Sequence, residues 1–334
     1  MAADTIQSIT IEGFKSIRSI KDLPLRPINV LIGANGSGKS NFLEAFVFLG
    51  ESHAGRVDSY VEYYGGAEKH LFRGSSTTQR ILVELKARDG RLITADYRTV
   101  DGDRLAGTTS WFEAQSSGPT FNRFRFVDTG ENSPFKKTCP IDDNRSLRRL
   151  GGNLASFLYR LRVTHPDSYD QIRKTVKLVA PFFEDFRLEP LALNQETIKL
   201  EWQHKNIDGY FGASSFSDGT LRFTALATLF LQPVELREAV ILVDEPELGL
   251  HPFAIGLLAS LIRQASVDTQ VIVATQSPLL LDYFEPEDVL VANRVDGATT
   301  IVRLESERLA EWLEEYSLGQ LWGKGELGGR LVRE

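Results

Sequence analysis

The chain has little cysteine, no excess of basic charge and no long apolar run. Its 334 residues contain a single cysteine, Cys139, which excludes a disulfide within the chain and a metal cluster built on several cysteines. Lysine and arginine number 38 against 45 aspartate and glutamate, so the formal net charge is −7 and no overall basic field predicts nucleic-acid binding. No apolar stretch is long enough to cross a bilayer, and the start MAADTIQ lacks the build of a signal peptide. We therefore expect a cytoplasmic protein with no membrane partner.

Repeats, low-complexity tracts and heptads are also missing, and the chain instead alternates strand and helix patterns. A short apolar strand at 27–33 leads through glycines into a helical pattern at 40–50. Two further buried strands, at 239–245 and 270–276, alternate with helices. This order predicts an α/β fold with a mainly parallel core sheet.

Antiparallel pieces are predicted around this core. Hairpin patterns occur at 81–100, 186–203 and 289–304, and alternation at 5–14 predicts an edge strand. Short strand pieces are predicted in SWFEA (110–114) and FNRFRFVD (121–128). The turn-rich stretch 130–146 is the best internal boundary.

The stretch GANGSGKS, residues 33–40, fits the complete G-x-x-x-x-G-K-[ST] pattern of a phosphate loop between a predicted strand and a predicted helix. Its glycines let the backbone wrap closely around phosphates, which the N–H groups at the helix start attract. Lys39 is predicted to reach the β- and γ-phosphates, and the Ser40 hydroxyl to ligate Mg²⁺. A glycine-rich turn without chemistry is the alternative, which the complete motif and its context disfavour. The predicted nucleotide-contacting residues are Gly33, Asn35, Gly36, Ser37, Gly38, Lys39, Ser40 and Asn41.

A second chemical stretch is AVILVDEPELGLHP, residues 239–252. Asp244 ends an apolar strand, where its carboxylate is predicted to hold Mg²⁺ beside Ser40. Glu245 follows at the turn and is predicted to orient or deprotonate an attacking water. An acidic strand end facing solvent is the alternative, and the phosphate loop in the same chain disfavours it.

The stretch SSFSDGTLRFTAL, residues 214–226, places turn-forming residues directly before a helical pattern. Ser217 and Gly219 supply a hydroxyl and a backbone N–H at the helix start, which suits an anion. A plain N-cap at Ser217 is the alternative, and these residues alone favour it.

Five motifs together resemble the ATP-binding-cassette (ABC)-type ATPases of the RecF/SMC-like class. They occur in the order seen in that class: GFKSI (13–17), GANGSGKSNFLEAF (33–46), FSDGTLR (216–222), LVDEPELGLHP (242–252) and ATQSP (274–278). The tail EWLEEYSLGQLWGKGELGG (311–329) is similar to that of the compact bacterial "AAA family ATPase" group, related to the ATPase half of overcoming-lysogenization-defect (OLD) nucleases. The resemblance implies an ABC/RecF-type P-loop NTPase with an antiparallel β subdomain and a helical lobe that bears the signature motif. It also implies ATPase activity, with ATP and Mg²⁺ bound.

The resemblance implies that the stretch at 217–219 contacts a nucleotide bound to a second copy of the chain. In this class the signature motif contacts the γ-phosphate bound by the other subunit, which implies a homodimer with two ATP molecules sandwiched between protomers. Ser217 would donate its hydroxyl and Gly219 its backbone N–H across a two-fold interface.

The sequence departs from the class pattern in three places. Asp218 replaces a second glycine, and its carboxylate would repel a γ-phosphate unless turned away. His251 stands where an aspartate is usual, either as a polar group near the interface or as the helix-entry residue before Pro252. Gln276 takes the position of the switch histidine; its amide can donate a hydrogen bond but carries no charge, so we expect slow turnover.

With the resemblance, the boundaries predict three parts. They are a nucleotide-binding lobe (1–140 and 232–305), a helical lobe with a hairpin and the signature motif (141–231), and a C-terminal helix and tail (306–334).

DNA contact is predicted less directly. The stretch RSLRR (145–149) with Arg160 and Arg162, and the stretch FNRFRF (121–126), could contact phosphates or stack on bases. A solvated helix face and an amphipathic strand with buried aromatics are the alternatives, which the negative net charge favours.

Two features that the sequence lacks reduce the number of functions to consider. No coiled-coil arm lies between Ser40 and Ser217, which argues against DNA bridging over long distances, and 277–334 is too short for a Toprim nuclease domain. We expect an ATP-dependent dimeric switch in DNA repair or processing or in anti-phage defence, with a separate effector such as a Toprim-like nuclease. The alternative is an ATP-gated sensor that controls a toxic partner without binding DNA. A transporter ATPase lacks support because no coupling motif is found.

Overall fold

The structure, a computed structural model, describes residues 6–100, 103–110 and 121–328. The strands in these ranges are β1 (Ile6–Phe14), β2 (Ile17–Pro24), β3 (Ile28–Ile32), β4 (Arg80–Ala87), β5 (Leu92–Val100), β6 (Arg104–Ser110), β7 (Arg123–Phe124), β8 (Cys139–Pro140), β9 (Phe183–Arg187), β10 (Pro190–Leu191), β11 (Asn194–Ile198), β12 (Glu201–His204), β13 (Tyr210–Gly212), β14 (Val240–Asp244), β15 (Gln270–Ala274), β16 (Val289–Val295) and β17 (Ala298–Arg303). The α-helices are α1 (Lys39–His53), α2 (Val57–Tyr63), α3 (Leu154–Thr164), α4 (Pro166–Val179), α5 (Asp218–Leu231), α6 (Pro252–Ala265), α7 (Pro278–Leu281), α8 (Ser306–Leu313) and α9 (Leu318–Lys324).

The chain divides into two compact units. The first comprises Met1–Arg123, Glu238–Asp244 and Asp268–Glu334, and the second comprises Phe124–Arg237 and Glu245–Val267. The lobe boundaries predicted from the sequence stay a prediction. The second unit also contains 124–140, 232–237 and 245–267, which the sequence prediction placed in the nucleotide-binding lobe.

The core of the first unit is a sheet with the strand order β17-β16-β3-β15-β14-β7. β14 pairs with β15, β15 with β3 and β3 with β16, all in parallel, and β17 pairs antiparallel with β16 as the predicted closing hairpin. The central strands INVLI, VILVD and QVIVA are nearly continuous buried runs of apolar residues, as strands covered on both faces require. The predicted mainly parallel sheet is confirmed.

The second sheet of this unit is antiparallel, in the order β2-β1-β4-β5-β6. β4 and β5 form the predicted hairpin, with Gly90 at a φ of 85° in the turn. The prediction of an edge strand at 5–14 is wrong, because β1 lies between β2 and β4. The segment 17–24 was not predicted as a strand, yet it folds back beside β1 and covers that edge.

Helix α1 is buried on nearly every face. Its apolar residues, such as Phe42, Phe46 and Phe48, join side chains of both sheets in one core cluster. A helix that is apolar all round belongs inside the protein, so the core fixes the position of its N-terminus. That N-terminus is where the phosphate loop ends.

The second unit combines helices α3–α6 with two small antiparallel sheets, β10-β11-β8 and β13-β12-β9. The predicted hairpin at 186–203 is present as the pairings of β9 with β12 and of β10 with β11. Trp202 of β12 stacks on Phe216 at a centroid distance of 4.6 Å, directly before α5 begins. The aromatic core of this unit therefore fixes the start of α5, which carries the signature motif.

Some short elements differ from the sequence prediction. Helices α2 and α9 had no strong periodicity and were not predicted, and only Arg123–Phe124 of the stretch 121–128 forms a strand. Residues 111–114 of the predicted strand SWFEA lie outside the described residues. Within the described ranges, no helix combines the length and apolar character that a membrane span requires.

Candidate functional site

The predicted phosphate loop connects β3 to α1. Gly36 and Gly38 have positive φ angles of 78° and 103°, a region in which glycine carries no Cβ penalty. A Cβ on Gly36 would meet no atom within 4 Å, whereas one on Gly38 would lie 2.0 Å from Thr299 Oγ1. Gly38 is the N-cap of α1 and has no side chain with which to cap the first turn. The N–H groups of that turn thus suit an anion supplied by a ligand.

Lys39 lies along its own loop. Its Nζ donates hydrogen bonds to the carbonyl oxygens of Gly33 at 2.6 Å and Ala34 at 3.0 Å. The side chain is buried, so its ammonium group lies against the loop and is shielded from solvent. This position places a positive charge where a phosphate-binding loop needs one.

Ser40 and Asp244 form a contact far apart in sequence. Ser40 Oγ donates a hydrogen bond to Asp244 Oδ2 at 3.1 Å, and Asp244 is buried at the carboxyl end of β14. Hydroxyl and carboxylate oxygens are the hard ligands that Mg²⁺ prefers. The described ranges contain no group of three or more His, Cys, Asp or Glu that could hold a metal ion. The pair therefore fits a Mg²⁺ ion that takes its other ligands from phosphates and water.

Two further side chains reach the phosphate loop from neighbouring strands. Gln276, which follows β15, donates from Nε2 to Asn35 Oδ1 at 2.8 Å. Arg294 of β16 donates from a terminal guanidinium nitrogen to the Gly36 carbonyl at 3.1 Å. The structure thus brings Gln276 to the loop, while Arg294 was missed because no sequence motif marks it.

A chain of hydrogen bonds supports the loop from behind. Asn41 Nδ2 donates to Ser16 Oγ at 2.7 Å, and Ser16 Oγ lies 2.7 Å from Thr299 Oγ1. Thr299 Oγ1 in turn donates to the Ser37 carbonyl at 2.8 Å. Asn41, predicted to contact nucleotide, takes part in this support. Ser16 lies within the GFKSI motif and could have been considered, whereas nothing in the sequence marks Thr299.

A cavity of about 480 Å³ opens beside this network in the first unit. Its walls next to the loop include four basic residues, Lys15, Lys69, Arg73 and Arg294, and one acidic residue, Glu68. Small-molecule sites commonly have volumes of about 300–1,000 Å³. The cavity is therefore large enough for the nucleoside part of a nucleotide.

A buried carboxylate, Glu44, lies one helical turn beyond Ser40 in α1. It forms ion pairs with Arg123 at 3.0 Å and with Lys15 at 3.7 Å, and it accepts a hydrogen bond from the hydroxyl of Tyr60. Burial lowers the pKa of Lys15 and raises the pKa of Tyr60. Arg123 also donates to the Ser40 carbonyl at 3.4 Å, so this cluster connects the first turn of α1 to the start of β7.

In the second unit, Ser217 is the exposed N-cap of α5. Its Oγ accepts a hydrogen bond from the Thr220 N–H at 3.1 Å, and Asp218 is also exposed. Gly219 packs closely, because a Cβ there would lie 2.7 Å from the Gly249 carbonyl oxygen. The capping alternative for Ser217 is therefore observed, at an accessible position.

His251 also caps a helix. Its Nδ1 accepts a hydrogen bond from the Phe253 N–H at 3.3 Å at the start of α6, and its side chain is exposed. Within one chain, His251 is therefore the residue at which helix α6 begins, as one of its two interpretations predicted.

Glu245 begins the second unit, immediately after Asp244. It has a positive φ of 53°, which is rare for a residue with a side chain and often marks a functional site. Its Oε2 accepts a hydrogen bond and ion pair from an Arg125 guanidinium nitrogen at 2.7 Å. Sequence reasoning missed this pairing, because Arg125 belongs to the stretch FNRFRF considered for nucleic acid.

The aromatic residues of that stretch lie in the core. Phe121, Phe124 and Phe126 are all buried, which agrees with the amphipathic alternative. In the other basic stretch, Arg160 donates to the carbonyls of Asn144 and Arg145, and Arg162 donates to that of Leu188. These guanidinium groups thus have structural partners within their own unit.

A phosphate loop after a parallel strand, a serine–aspartate pair at the end of another strand of the same sheet and a signature-like helix start are the features of a P-loop NTPase of the ABC type. A family profile described as "AAA domain, putative AbiEii toxin, Type IV TA system" matches residues 28–282. The match covers most of the chain, so the chain belongs to this family. The predicted resemblance to the RecF/SMC-like ABC-type class is confirmed at the level of family and fold.

Curated relatives match over a short segment. The DNA replication and repair protein RecF of Shewanella denitrificans is 46% identical over 46 residues, which cover 14% of this chain and 13% of RecF. RecF of Shewanella baltica is 44% identical over a segment of the same length. The chain thus aligns with only a small part of these relatives.

Solved structures with a similar fold are SMC head domains. The Smc head domain with an extended coiled coil bound to the C-terminal domain of ScpA, from Pyrococcus furiosus, gives a TM-score of 0.64 at 18% identity, covering 93% of this chain and 98% of that one. The SMC head domain from Thermotoga maritima gives 0.52 at 18% identity, covering 90% and 99%. At this identity the likeness shows the fold, and it confirms the predicted ABC/RecF-type architecture.

Proposed function

We propose that this chain is an ATP-binding and slowly ATP-hydrolysing switch that forms an ATP-sandwiched homodimer. It acts in DNA repair or processing or in anti-phage defence, together with a separate effector such as a Toprim-like nuclease. A relation to the ATPase half of OLD nucleases belongs to the same proposal. The observation that carries it is the complete phosphate loop, whose Ser40 lies 3.1 Å from the strand-end carboxylate of Asp244.

The residues of the first unit have distinct roles in binding ATP. The N–H groups at the start of α1 and the Lys39 ammonium hold the β- and γ-phosphates, and the basic cavity beside Lys15 and Arg73 holds the nucleoside. Ser40 and Asp244 hold the metal ion through their oxygens. When bound, Mg²⁺ neutralises charge that develops on the β- and γ-phosphate oxygens.

Hydrolysis needs a positioned water and a carboxylate. In this step a water oxygen bonds to the γ-phosphorus, the bond to the β–γ bridging oxygen breaks, and ADP leaves with the electron pair. Glu245 accepts a hydrogen bond from the water and takes its proton. Gln276 donates its amide hydrogen to a γ-phosphate oxygen but supplies no positive charge, which keeps turnover slow.

The signature residues of a second copy complete the site. Ser217 and Asp218 are exposed at the start of α5, which supports access by a nucleotide bound to another protomer. Ser217 supplies a hydroxyl and Gly219 an N–H to the γ-phosphate held by the partner. His251, exposed at the start of α6, is the additional polar group of this surface.

The variant Glu245→Gln tests the proposal. It keeps the size and hydrogen-bonding capacity of the side chain but removes the carboxylate, so it should bind ATP and accumulate as a dimer without hydrolysing it. Sedimentation with saturating ATP and Mg²⁺ measures the dimer, and phosphate release measures turnover. A variant that binds ATP but stays monomeric would rule out the sandwich.

The second candidate, an ATP-gated sensor without its own DNA contact, has one supporting observation. Arg123, Arg125 and Arg160 bond to carboxylates or carbonyls of their own unit, and the aromatic residues of the stretch 121–126 are buried. ATP hydrolysis measured with and without duplex or gapped DNA separates the two. Stimulation by DNA supports the first function, and ATP-dependent dimerisation without stimulation supports the second.

A further inference from the structure

The ion pair between Arg125 and Glu245 occupies the carboxylate to which the proposed function assigns the attacking water. The donor nitrogen of Arg125 lies 2.7 Å from Oε2, within the range of a charge-assisted hydrogen bond. The side chains of Arg125 and Glu245 are 43% and 26% exposed, so solvent screens the ion pair only in part. A carboxylate oxygen that already accepts a guanidinium hydrogen has fewer lone pairs available to accept a hydrogen bond from water.

Both partners are held by their backbones. Arg125 is flanked in sequence by Phe124 and Phe126, whose rings are buried, and its N–H donates to the Arg149 carbonyl at 3.1 Å. Glu245 has a φ of 53°, and its carbonyl accepts a hydrogen bond from the Leu248 N–H at 3.3 Å. The pair is therefore set by the fold and not only by the reach of two long side chains.

Arg222 connects this pair to the signature helix. From α5 it donates to the Leu248 carbonyl at 2.8 Å, in the loop that begins with Glu245. It also donates to the Val127 carbonyl at 2.8 Å and to Thr129 Oγ1 at 3.2 Å, in the segment that carries Arg125. One guanidinium thus spans both sides of the ion pair and the helix whose N-terminus bears Ser217.

We propose that Arg125 is a positioning residue that holds Glu245 in an ion pair and restrains ATP hydrolysis until the signature helix engages a second copy's nucleotide. The inference rests on the proposed function for the role of Glu245. Movement of α5 on engagement shifts Arg222, and with it the two segments that hold the pair together. Glu245 then becomes available to the water only in the closed dimer.

The restraint has a modest expected size. Partly exposed ion pairs contribute about 0.2–1 kcal/mol, which corresponds to rate changes of up to about fivefold. The variant Arg125→Gln keeps a long polar side chain without the charge. It should raise kcat roughly two- to fivefold and leave KM for ATP unchanged. Arg125→Lys should restore most of the restraint.

A matched control comes from the same unit. Arg187 forms an exposed ion pair with Glu189 at 2.9 Å and belongs to no proposed site. Arg187→Gln should therefore leave kcat and KM as in the wild type. A kcat for Arg125→Gln that equals or falls below that of Arg187→Gln would overturn the proposed restraint.

A double-mutant cycle without nucleotide separates this inference from the proposed function. Urea unfolding compares the wild type, Arg125→Gln, Glu245→Gln and the double variant. Arg125→Gln should lower the unfolding midpoint of the wild type more than that of Glu245→Gln, and equal losses would refute the pair even if ATP is hydrolysed. If ATP is neither bound nor hydrolysed, the proposed function fails, while this cycle still decides whether Arg125 and Glu245 interact.

Discussion

Replacing Gly38 by alanine should disrupt the phosphate loop more than the same change at Gly36. At Gly38 a left-handed backbone, with a φ of 103°, costs a residue with a Cβ about 1–2 kcal/mol. The added Cβ would also lie 2.0 Å from Thr299 Oγ1 and 2.8 Å from Ser16 Oγ, and overpacking of this kind costs about 1–3 kcal/mol. The expected loss in the free energy of unfolding is therefore about 2–5 kcal/mol.

Gly36→Ala is the matched control, since this position has a φ of 78° but open space for a Cβ. It should lose only the backbone part, about 1–2 kcal/mol. Urea unfolding followed by circular dichroism compares the two variants, provided that the denaturant slope stays constant. Both should also bind ATP more weakly, because each alters the loop that holds the phosphates.

A double-mutant cycle identifies the clash. Thr299→Ala removes the atom nearest to the added Cβ, at the expense of the hydrogen bond from Oγ1 to the Ser37 carbonyl. In that background Gly38→Ala should cost only about 1–2 kcal/mol, so the two changes should couple by about 1–3 kcal/mol. If Gly38→Ala is no worse than Gly36→Ala, or the cycle shows no coupling, the packing of the loop against β17 is refuted.

Three further predictions follow from the same structure. Lys39→Ala removes the ammonium held by the loop and should weaken ATP binding at least tenfold by titration calorimetry; unchanged affinity would remove the phosphate-loop assignment. Ser217→Arg places a large cation at the start of α5 and should leave ATP binding intact but prevent dimerisation of the Glu245→Gln variant in sedimentation; a normal dimer would leave Ser217 as an N-cap alone. Burial lowers the pKa of His70 below its usual value of 6.5, so its neutral form stabilises the fold fully above pH 6.5 and this stability is lost as the pH falls. His70→Phe should make the free energy of unfolding less dependent on pH between 7.5 and 5, by up to about 1.4 kcal/mol per pH unit, and an unchanged dependence would contradict the buried neutral histidine.

The sequence was most informative where one local pattern determines one local structure. The loop at 33–40 and the strand ending at Asp244 have full motifs, and the parallel sheet brings Ser40 and Asp244 together because both strands end at the same edge. The hairpins at 81–100 and 289–304 were predictable from alternation and turn residues. The fold class follows from these elements.

The residues that support the site could not be predicted in the same way. Thr299 and Ser16 meet only because β17 returns beside the start of β2, a pairing between distant segments that leaves no local signal. Arg125 was considered for phosphate because an arginine between phenylalanines suits nucleic acid as well as an amphipathic strand. Only the fold distinguishes these uses, by burying the rings and placing the guanidinium against Glu245.

The two interpretations of Ser217 are compatible in the structure. A serine hydroxyl has one hydrogen to donate and two lone pairs to accept with. The cap uses a lone pair, because Ser217 Oγ accepts the Thr220 N–H at 3.1 Å. The hydroxyl hydrogen is not consumed by the cap, and the nearby Thr220 Oγ1, at 2.8 Å, can accept it or yield to a stronger acceptor such as a phosphate oxygen. Capping therefore orients the hydroxyl for an anion, which makes the exposed start of α5 suited to a nucleotide held by a second copy.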